Sequence, residues 1–238
     1  MTLVPSDRFS DEELAALFTR GYEQYFVPMQ LDAASFRFMV DTWDIDLSRS
    51  RVAPGKGLCN LAVRGERGWI GGIGVVPEAR REGIGRALMS AVLAVAPPTV
   101  TLEVIEENEP AIRLYESLGF ERTRLLEVWS LDPVPEIEAR PAEPAPLGQT
   151  GLPWQREDAS LPPGGYERLE IDGGAILIRN GNVLQLDARD EDAAVALLSR
   201  GTMLSYVNVP EGDVASAALR RLGGELRLRQ FEMTLPRG

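Results

Sequence analysis

The chain has 238 residues, 44% of them hydrophobic, with 25 basic against 36 acidic side chains and a net charge of −11. It holds no histidine and one cysteine, Cys59, which excludes histidine-based nucleophilic sites, histidine-ligated zinc and an intrachain disulfide; no metal site is expected. The negative balance argues against a nucleic-acid partner; no apolar run reaches the ~20 residues of a membrane helix, and the N-terminus turns acidic at once without a secretory apolar core, so a cytoplasmic location and no membrane partner are the expectation.

Along the chain, Ser10 followed by Glu13 forms a capping box ahead of Leu14, Leu17 and Phe18, which predicts a helix. A second helix is predicted from Asp32 to Thr42. Strands are predicted at Arg51–Ala53, Leu58–Arg64 and Trp69–Val76, joined by turns at Pro54-Gly55-Lys56-Gly57 and Gly65-Glu66-Arg67-Gly68. A helix from Gly83 to Val95 stops at Pro97-Pro98. A strand follows at Thr99–Ile105, then a helix that opens at Pro110 and ends at Gly119, then a strand within Phe120–Leu131.

Residues 133–163 contain eight prolines, which have no place in helix interiors or central strands. This segment reads as a partly extended linker on which Trp154 docks locally. A shorter module begins at Tyr166. It holds a hairpin around Asn180-Gly181 within Ala175–Asp187, a helix from Asp190 to Ser199, a strand at Met203–Val209, a helix capped by Asp213, and a final strand after Gly223-Gly224. The expected organisation is a first domain at 1–132, a proline-rich linker at 133–165 and a second module at 166–238. Leu118-Gly119-Phe120-Glu121 lies against Leu222-Gly223-Gly224-Glu225, and Asn108-Glu109-Pro110 has a looser echo in Asn208-Val209-Pro210, which points to an internal repeat.

The chemistry concentrates between Trp69 and Met89. A buried strand runs into a turn containing Gly83 and Gly85 and then a helix. Glycines there clear side chains away, so that backbone N–H groups at the helix start can face an anion, aided by the helix dipole. Arg80, Arg81 and Arg86 add positive charge beside that point. Taken alone, the same pattern also describes a tight strand-to-helix turn with solvated arginines.

The stretch resembles motif A of the GNAT acetyltransferase superfamily, Q/R-x-x-G-x-G/A, with Arg80, Gly83 and Gly85 in the specified positions and Ile84 between the glycines. Ile73-Gly74-Val75 is similar to the strand whose backbone pairs with the pantetheine arm. Leu102-Glu103-Val104 through Asn108, Tyr115 and Gly119-Phe120 resembles motif B. The resemblance covers residues 10–131. It implies a GNAT fold of α/β (α+β) class, with a central mixed, mostly antiparallel sheet flanked by helices, and a smaller GNAT-like half-domain behind it.

It further implies acetyl-CoA as cosubstrate, with no metal, and an amine acceptor of small-molecule or peptidyl kind. Ile73, Gly74, Val75, Arg80, Arg81, Gly83, Ile84, Gly85, Arg86 and Asn108 would hold the donor. Tyr115 matches the family's general acid; a phenol with a reference pKa near ~10 is protonated at neutral pH. Glu103 matches a glutamate proposed as base in bacterial ribosomal-protein N-terminal acetyltransferases. Tyr115 also fits a packing role, Glu103 a salt-bridge role and Asn108 a helix cap. Glu82, unusual within such a loop, is expected to face solvent, and Cys59 to be a small buried residue. The second module lacks the G-x-G and has Asp187, Asp190, Glu191 and Asp192 in its place, so it reads as a truncated copy without donor binding. A non-catalytic acyl-CoA-binding or sensory module fits the same motifs, as does a pseudoenzyme scaffold. The reading leaves room for a homodimer.

Overall fold

The computed structural model describes residues 2–236. The described chain divides into two compact units, one of residues 2–104, 108–122 and 233–236, the other of residues 105–107 and 123–232.

The first unit contains β1 (Val4–Pro5), α1 (Asp11–Gly21), α2 (Ala33–Thr42), β2 (Arg51–Ala53), β3 (Gly57–Arg64), β4 (Arg67–Val75), α3 (Ile84–Leu93), β5 (Thr99–Ile105) and α4 (Glu109–Glu116). The predicted caps are present. Ser10 Oγ accepts the Glu13 N–H at 3.3 Å while Glu13 accepts the Ser10 N–H at 2.8 Å, and Asp32 accepts the Ser35 N–H at 2.7 Å. Strands follow the order β1-β2-β3-β4-β5. They are antiparallel up to β4, and β4 runs parallel to β5.

Two departures from regular strand geometry shape this sheet. Asn60 pairs with Gly72 and Leu61 with Ile70, which leaves Gly71 without a partner, a β-bulge. A Cβ on Gly71 would lie 2.6 Å from the Trp69 ring, and one on Gly72, whose φ is +149°, would lie 2.9 Å from Phe18. The β4–β5 ladder is also short: it pairs Arg67 with Thr99 through Trp69 with Thr101, and Ile70 onward has no partner in β5. Helices cover both faces. Cys59 of β3 meets Met89 of α3 (Sγ to Sδ 3.8 Å), whereas on the opposite face Gly21 of α1 lies directly against Gly74 of β4.

The second unit contains β6 (Glu121–Leu131), β7 (Arg140–Ala142), β8 (Glu167–Ile171), β9 (Gly174–Arg179), β10 (Asn182–Ala188), α5 (Glu191–Leu198), β11 (Leu204–Pro210), α6 (Val214–Arg221) and β12 (Glu225–Pro236), with β6 counted from Thr123 and β12 to Glu232. Its strand order is β12-β6-β11-β10-β9-β8-β7. The β9–β10 turn has Asn180 at φ 49° and Gly181 at φ 75°, the left-handed pair that a type I′ hairpin requires. Trp129, Leu131, Ile176, Leu186, Leu197 and Leu219 are among the side chains of its core.

The succession β3-β4-α3-β5-α4-β6 recurs as β9-β10-α5-β11-α6-β12. Gly119 and Gly223, the paired glycines of the sequence echo, both take positive φ (93° and 76°) just after α4 and α6. Two features lie outside the sequence reading. β6 pairs antiparallel with β11 and sits between β11 and β12. Within the proline-rich segment, β7 adds an edge strand to β8 with Pro141 on it, the kind of position proline tolerates in a sheet. Trp154, in the same segment, is 4% exposed, as the expected local docking requires.

A Cβ on Gly21 would come within 2.9 Å of the Gly74 backbone, which has no room to move away. Gly21→Ala is therefore expected to lower the unfolding free energy by about 1–3 kcal/mol. Urea denaturation measures this, and an unchanged midpoint would contradict the backbone-to-backbone contact.

Candidate active site

Where β4 and β5 part, a cavity of about 690 Å³ opens within the first unit. Ile73 and Val75 line it from β4, Leu102, Glu103 and Val104 from β5, and Tyr115 and Asn108 from α4 and its cap. Arg80, Arg81, Gly83, Ile84, Gly85 and Arg86 line the end at the start of α3.

That end presents uncapped backbone amides. Gly83 is the N-cap of α3 in the left-handed conformation (φ 80°), and no side chain caps the helix. Arg81 also has positive φ, 65°. Alternating backbone hands of this kind turn successive N–H groups toward one point. Gly85 lines the cavity and a Cβ there would meet only Leu114 and Val75, at 3.6 and 3.9 Å; a side chain would occupy the space rather than clash.

The three arginines do different jobs. Arg80 donates from Nε to the Val75 carbonyl at 3.0 Å and from Nη2 to the Gly21 and Glu23 carbonyls, tying the loop after β4 to the C-terminal end of α1. A cation there also suits the negative end of the α1 dipole. Arg86 donates to Ser117 Oγ at 2.6 Å, and Arg81 is exposed at the cavity. Glu82 pairs with Lys56 at 2.9 Å with about half its side chain exposed, so its carboxylate is matched outside the cavity. Gly74 packs against Gly21 instead of lining the cavity.

At the other end Glu103 is fixed by the sheet. Trp69, at the last β4–β5 pair, donates its indole N–H to Glu103 Oε2 at 2.6 Å. Tyr115 is 5% exposed, and burial, reinforced by the neighbouring phenols Tyr22 and Tyr25, pushes its hydroxyl well above the usual tyrosine range. Tyr22 and Tyr25 are raised chiefly by burial as well, and the Tyr22 hydroxyl lies against the Ile73 amide. Asn108 caps α4 through the Ala111 N–H at 3.3 Å and reaches Tyr25 Oη at 3.5 Å. The cavity is lined by amide donors at the start of α3, by a phenol that stays protonated and by a held carboxylate.

Sequence reasoning passed over Tyr22, Tyr25, Phe26 and Trp69. Tyr22 and Phe26 flank Tyr25 in a run of ring contacts after α1 (centroids 5.1 and 5.4 Å apart), and all three line the cavity. Their signal was a cluster of aromatics just past a helix; for Trp69 it was the Gly71-Gly72 pair inside a strand pattern, which marks a bulge. Cys59 is buried, and burial drives its thiol upward, so it is inert as a nucleophile.

Residues 12–120 match the acetyltransferase (GNAT) family. The whole chain is similar in structure to a candidate acetyltransferase from Pyrococcus horikoshii (TM-score 0.72, 15% identity, 100% of this chain and 89% of that one). It is also similar to a GCN5-related N-acetyltransferase from Sphaerobacter thermophilus (TM-score 0.64, 17% identity, covering 97% and 93%). A tandem GNAT protein from the clavulanic acid biosynthesis pathway matches over 100% of this chain and 98% of its own (TM-score 0.64, 15% identity). At these identities the likeness establishes the fold, a mixed sheet flanked by helices and shared along the whole chain. Among curated proteins, none matches the chain.

The phenols give an alkaline signature. Tyr22, Tyr25 and Tyr115 are all raised by burial, and Tyr206 of the second unit is pushed up to about 12. A neutral group favoured by the fold contributes stability below its unfolded value, near ~10, and loses it as the pH climbs toward the folded value. Unfolding free energy is expected to fall with pH above about 10, and less steeply in Tyr115→Phe. Equal slopes for the parent and that variant would contradict a buried, protonated Tyr115.

Proposed function

Residues 12–120 are a GNAT acetyltransferase domain, and from that premise we propose that the protein transfers an acetyl group from acetyl-CoA to a primary amine of a small molecule or peptide. Membership of the family supports acyl transfer and acetyl-CoA as donor. One observation carries the finer reading: the uncapped amide loop of Gly83–Gly85, Glu103 and Tyr115 all open onto one cavity. We take residues 1–132 as the catalytic domain, 133–165 as a proline-rich connection and 166–238 as a degenerate copy.

The proposed division of labour follows from the chemistry of each group. The amides of the α3 start, with Arg81 and Arg86, receive the donor's pyrophosphate; the Ile73–Val75 edge, freed from β5, receives its arm. The thioester supplies an activated acyl carbon. Glu103 takes a proton from the acceptor amine, directly or through water, as the nitrogen bonds to that carbon. Tyr115 gives its proton to the sulfur as the carbon–sulfur bond breaks. The two proton movements cancel once Tyr115 is reprotonated and Glu103 releases its proton, leaving an amide and a thiol. Cys59, buried beside Met89, takes no part in this scheme, in which transfer is direct. Trp69 acts through Glu103 by holding one of its carboxylate oxygens and so fixing where the carboxylate sits.

Calorimetric titration with acetyl-CoA is expected to show binding that a folded Gly83→Asp/Gly85→Asp double variant loses. In an amine screen, Tyr115→Phe should lower kcat by roughly 10²–10⁴-fold with little change in donor affinity. Glu103→Gln should lower kcat with little change in donor affinity, and Trp69→Phe, which removes the indole donor to Glu103, should lower it to a smaller degree. Donor binding without turnover on any amine would favour a sensory module, and no binding by the folded parent would end the enzymatic reading.

A further inference from the structure

The second unit repeats the fork of the first. β10 and β11 are parallel and pair only through Asn182 with Ser205 and Val183 with Tyr206. The ladder therefore ends at the third residue of β11, as the β4–β5 ladder ends at Thr101, the third residue of β5. Beyond that point the first unit has its cavity. In the second unit the corresponding space holds part of the proline-rich segment.

The contacts are specific. Arg156, 5% exposed, donates from Nη1 to the Asn208 carbonyl of β11 at 2.9 Å and from Nη2 to the Tyr206 hydroxyl, and its guanidinium lies 4.4 Å from the centre of the Tyr206 ring. On the β10 side, Gln185, fully buried, donates to the Arg156 carbonyl and to Asp158 Oδ1, each at 2.8 Å, and accepts the Leu147 N–H at 3.0 Å. Gln149 donates to the Leu186 carbonyl at 3.0 Å. Carbonyls of both parted strands, which would otherwise be orphaned, are satisfied from this segment. Trp154 and Ser160 are buried with it.

The helix start that follows β10 is closed as well. At α3 the N-cap is a bare glycine, whereas at α5 the carboxylate of Asp190 accepts the Ala193 N–H at 2.9 Å. An anion arriving there would meet a carboxylate already in place.

We infer that residues 147–160 are an internal strap that fills the β10–β11 cleft, with Arg156 as its key, so that the second module is completed by the chain itself and the protein carries one acyl-CoA site. The inference rests on reading the β4–β5 cleft as the donor site. It assigns this part of the proline-rich segment a role that composition does not suggest: past Pro153 two single 3-10 turns, Trp154–Arg156 and Asp158–Ser160, occupy the groove, and the polar side chains of the segment supply the hydrogen bonds that a bound arm would otherwise make.

Hydrogen exchange and acetyl-CoA titration of the full chain test this together. Slow exchange is expected across 154–160 and in the parted stretches 185–188 and 207–210, with one acetyl-CoA bound per chain. Arg156→Ala should speed exchange in those three stretches by roughly tenfold or more while leaving β3, β4 and acetyl-CoA affinity unchanged. Tyr206→Phe, which removes only the hydroxyl that Arg156 reaches, should do so to a smaller degree and covers the case in which Arg156→Ala does not fold. Two acetyl-CoA molecules per chain, or exchange in 154–160 as fast as in an exposed loop, would overturn the strap. Slow exchange with no acetyl-CoA bound at all would support the strap while removing the donor reading of the first cleft.

Discussion

Strands β4 and β5 run parallel for three residue pairs, Arg67–Thr99 to Trp69–Thr101, and then separate. Parallel neighbours normally satisfy each other's amides and carbonyls along their length, so a fork in the middle of a sheet leaves backbone groups that require another partner. The Gly71 bulge sits at the point of divergence, and the indole of Trp69 at the last pair reaches across to Glu103. The cavity, the presentation of Ile73 and Val75, and the placing of Glu103 follow from that separation.

Charge is distributed around the fork with economy. Arg80 ties the loop before α3 to the carbonyls at the end of α1, and Glu82 is matched by Lys56 at the surface, so the charged side chains lining the α3 end of the cavity are Arg80, already engaged with carbonyls, Arg81 and Arg86. At the opposite end three phenols crowd together, and burial keeps each of them protonated at neutral pH. A proton donor is useful only if it still holds its proton when the leaving group departs, and a low-dielectric cluster of neutral hydroxyls meets that condition.

The second unit is built with the same fork and resolves it differently. Its core is well filled, and its buried carboxylate Glu127 is held by Trp129, Ser216 and Arg220. The groups exposed by the parting of β10 and β11 bind the chain's own side chains. Polar groups inside a protein are satisfied by ligand, by water or by chain; here the chain supplies the partners, and the carboxylate cap on α5 is of a piece with that.

Much of this architecture is local, and local features were legible in the residues. The capping box of Ser10 and Glu13, the caps at Asp32 and Asp213, the Asn180-Gly181 hairpin and the glycine turn before α3 each depend on backbone conformation and hydrogen bonds within a few positions. The motifs around Gly83, Glu103 and Tyr115 were readable for the same reason, as was the echo of Gly119 in Gly223. What the residues did not disclose is who meets whom. That β6 lies beside β11, that Arg80 is held by the carbonyls at the end of α1, that Tyr22 and Tyr25 line the cavity, and that Arg156 fills a cleft are outcomes of partners dozens of residues apart (Trp69 and Glu103 by 34, Arg156 and Tyr206 by 50). Short-range geometry determines where a strand or helix starts and stops; which strand pairs with which, and where a long side chain is spent, is decided by the burial of whole faces at once, and that balance exists only in the folded chain.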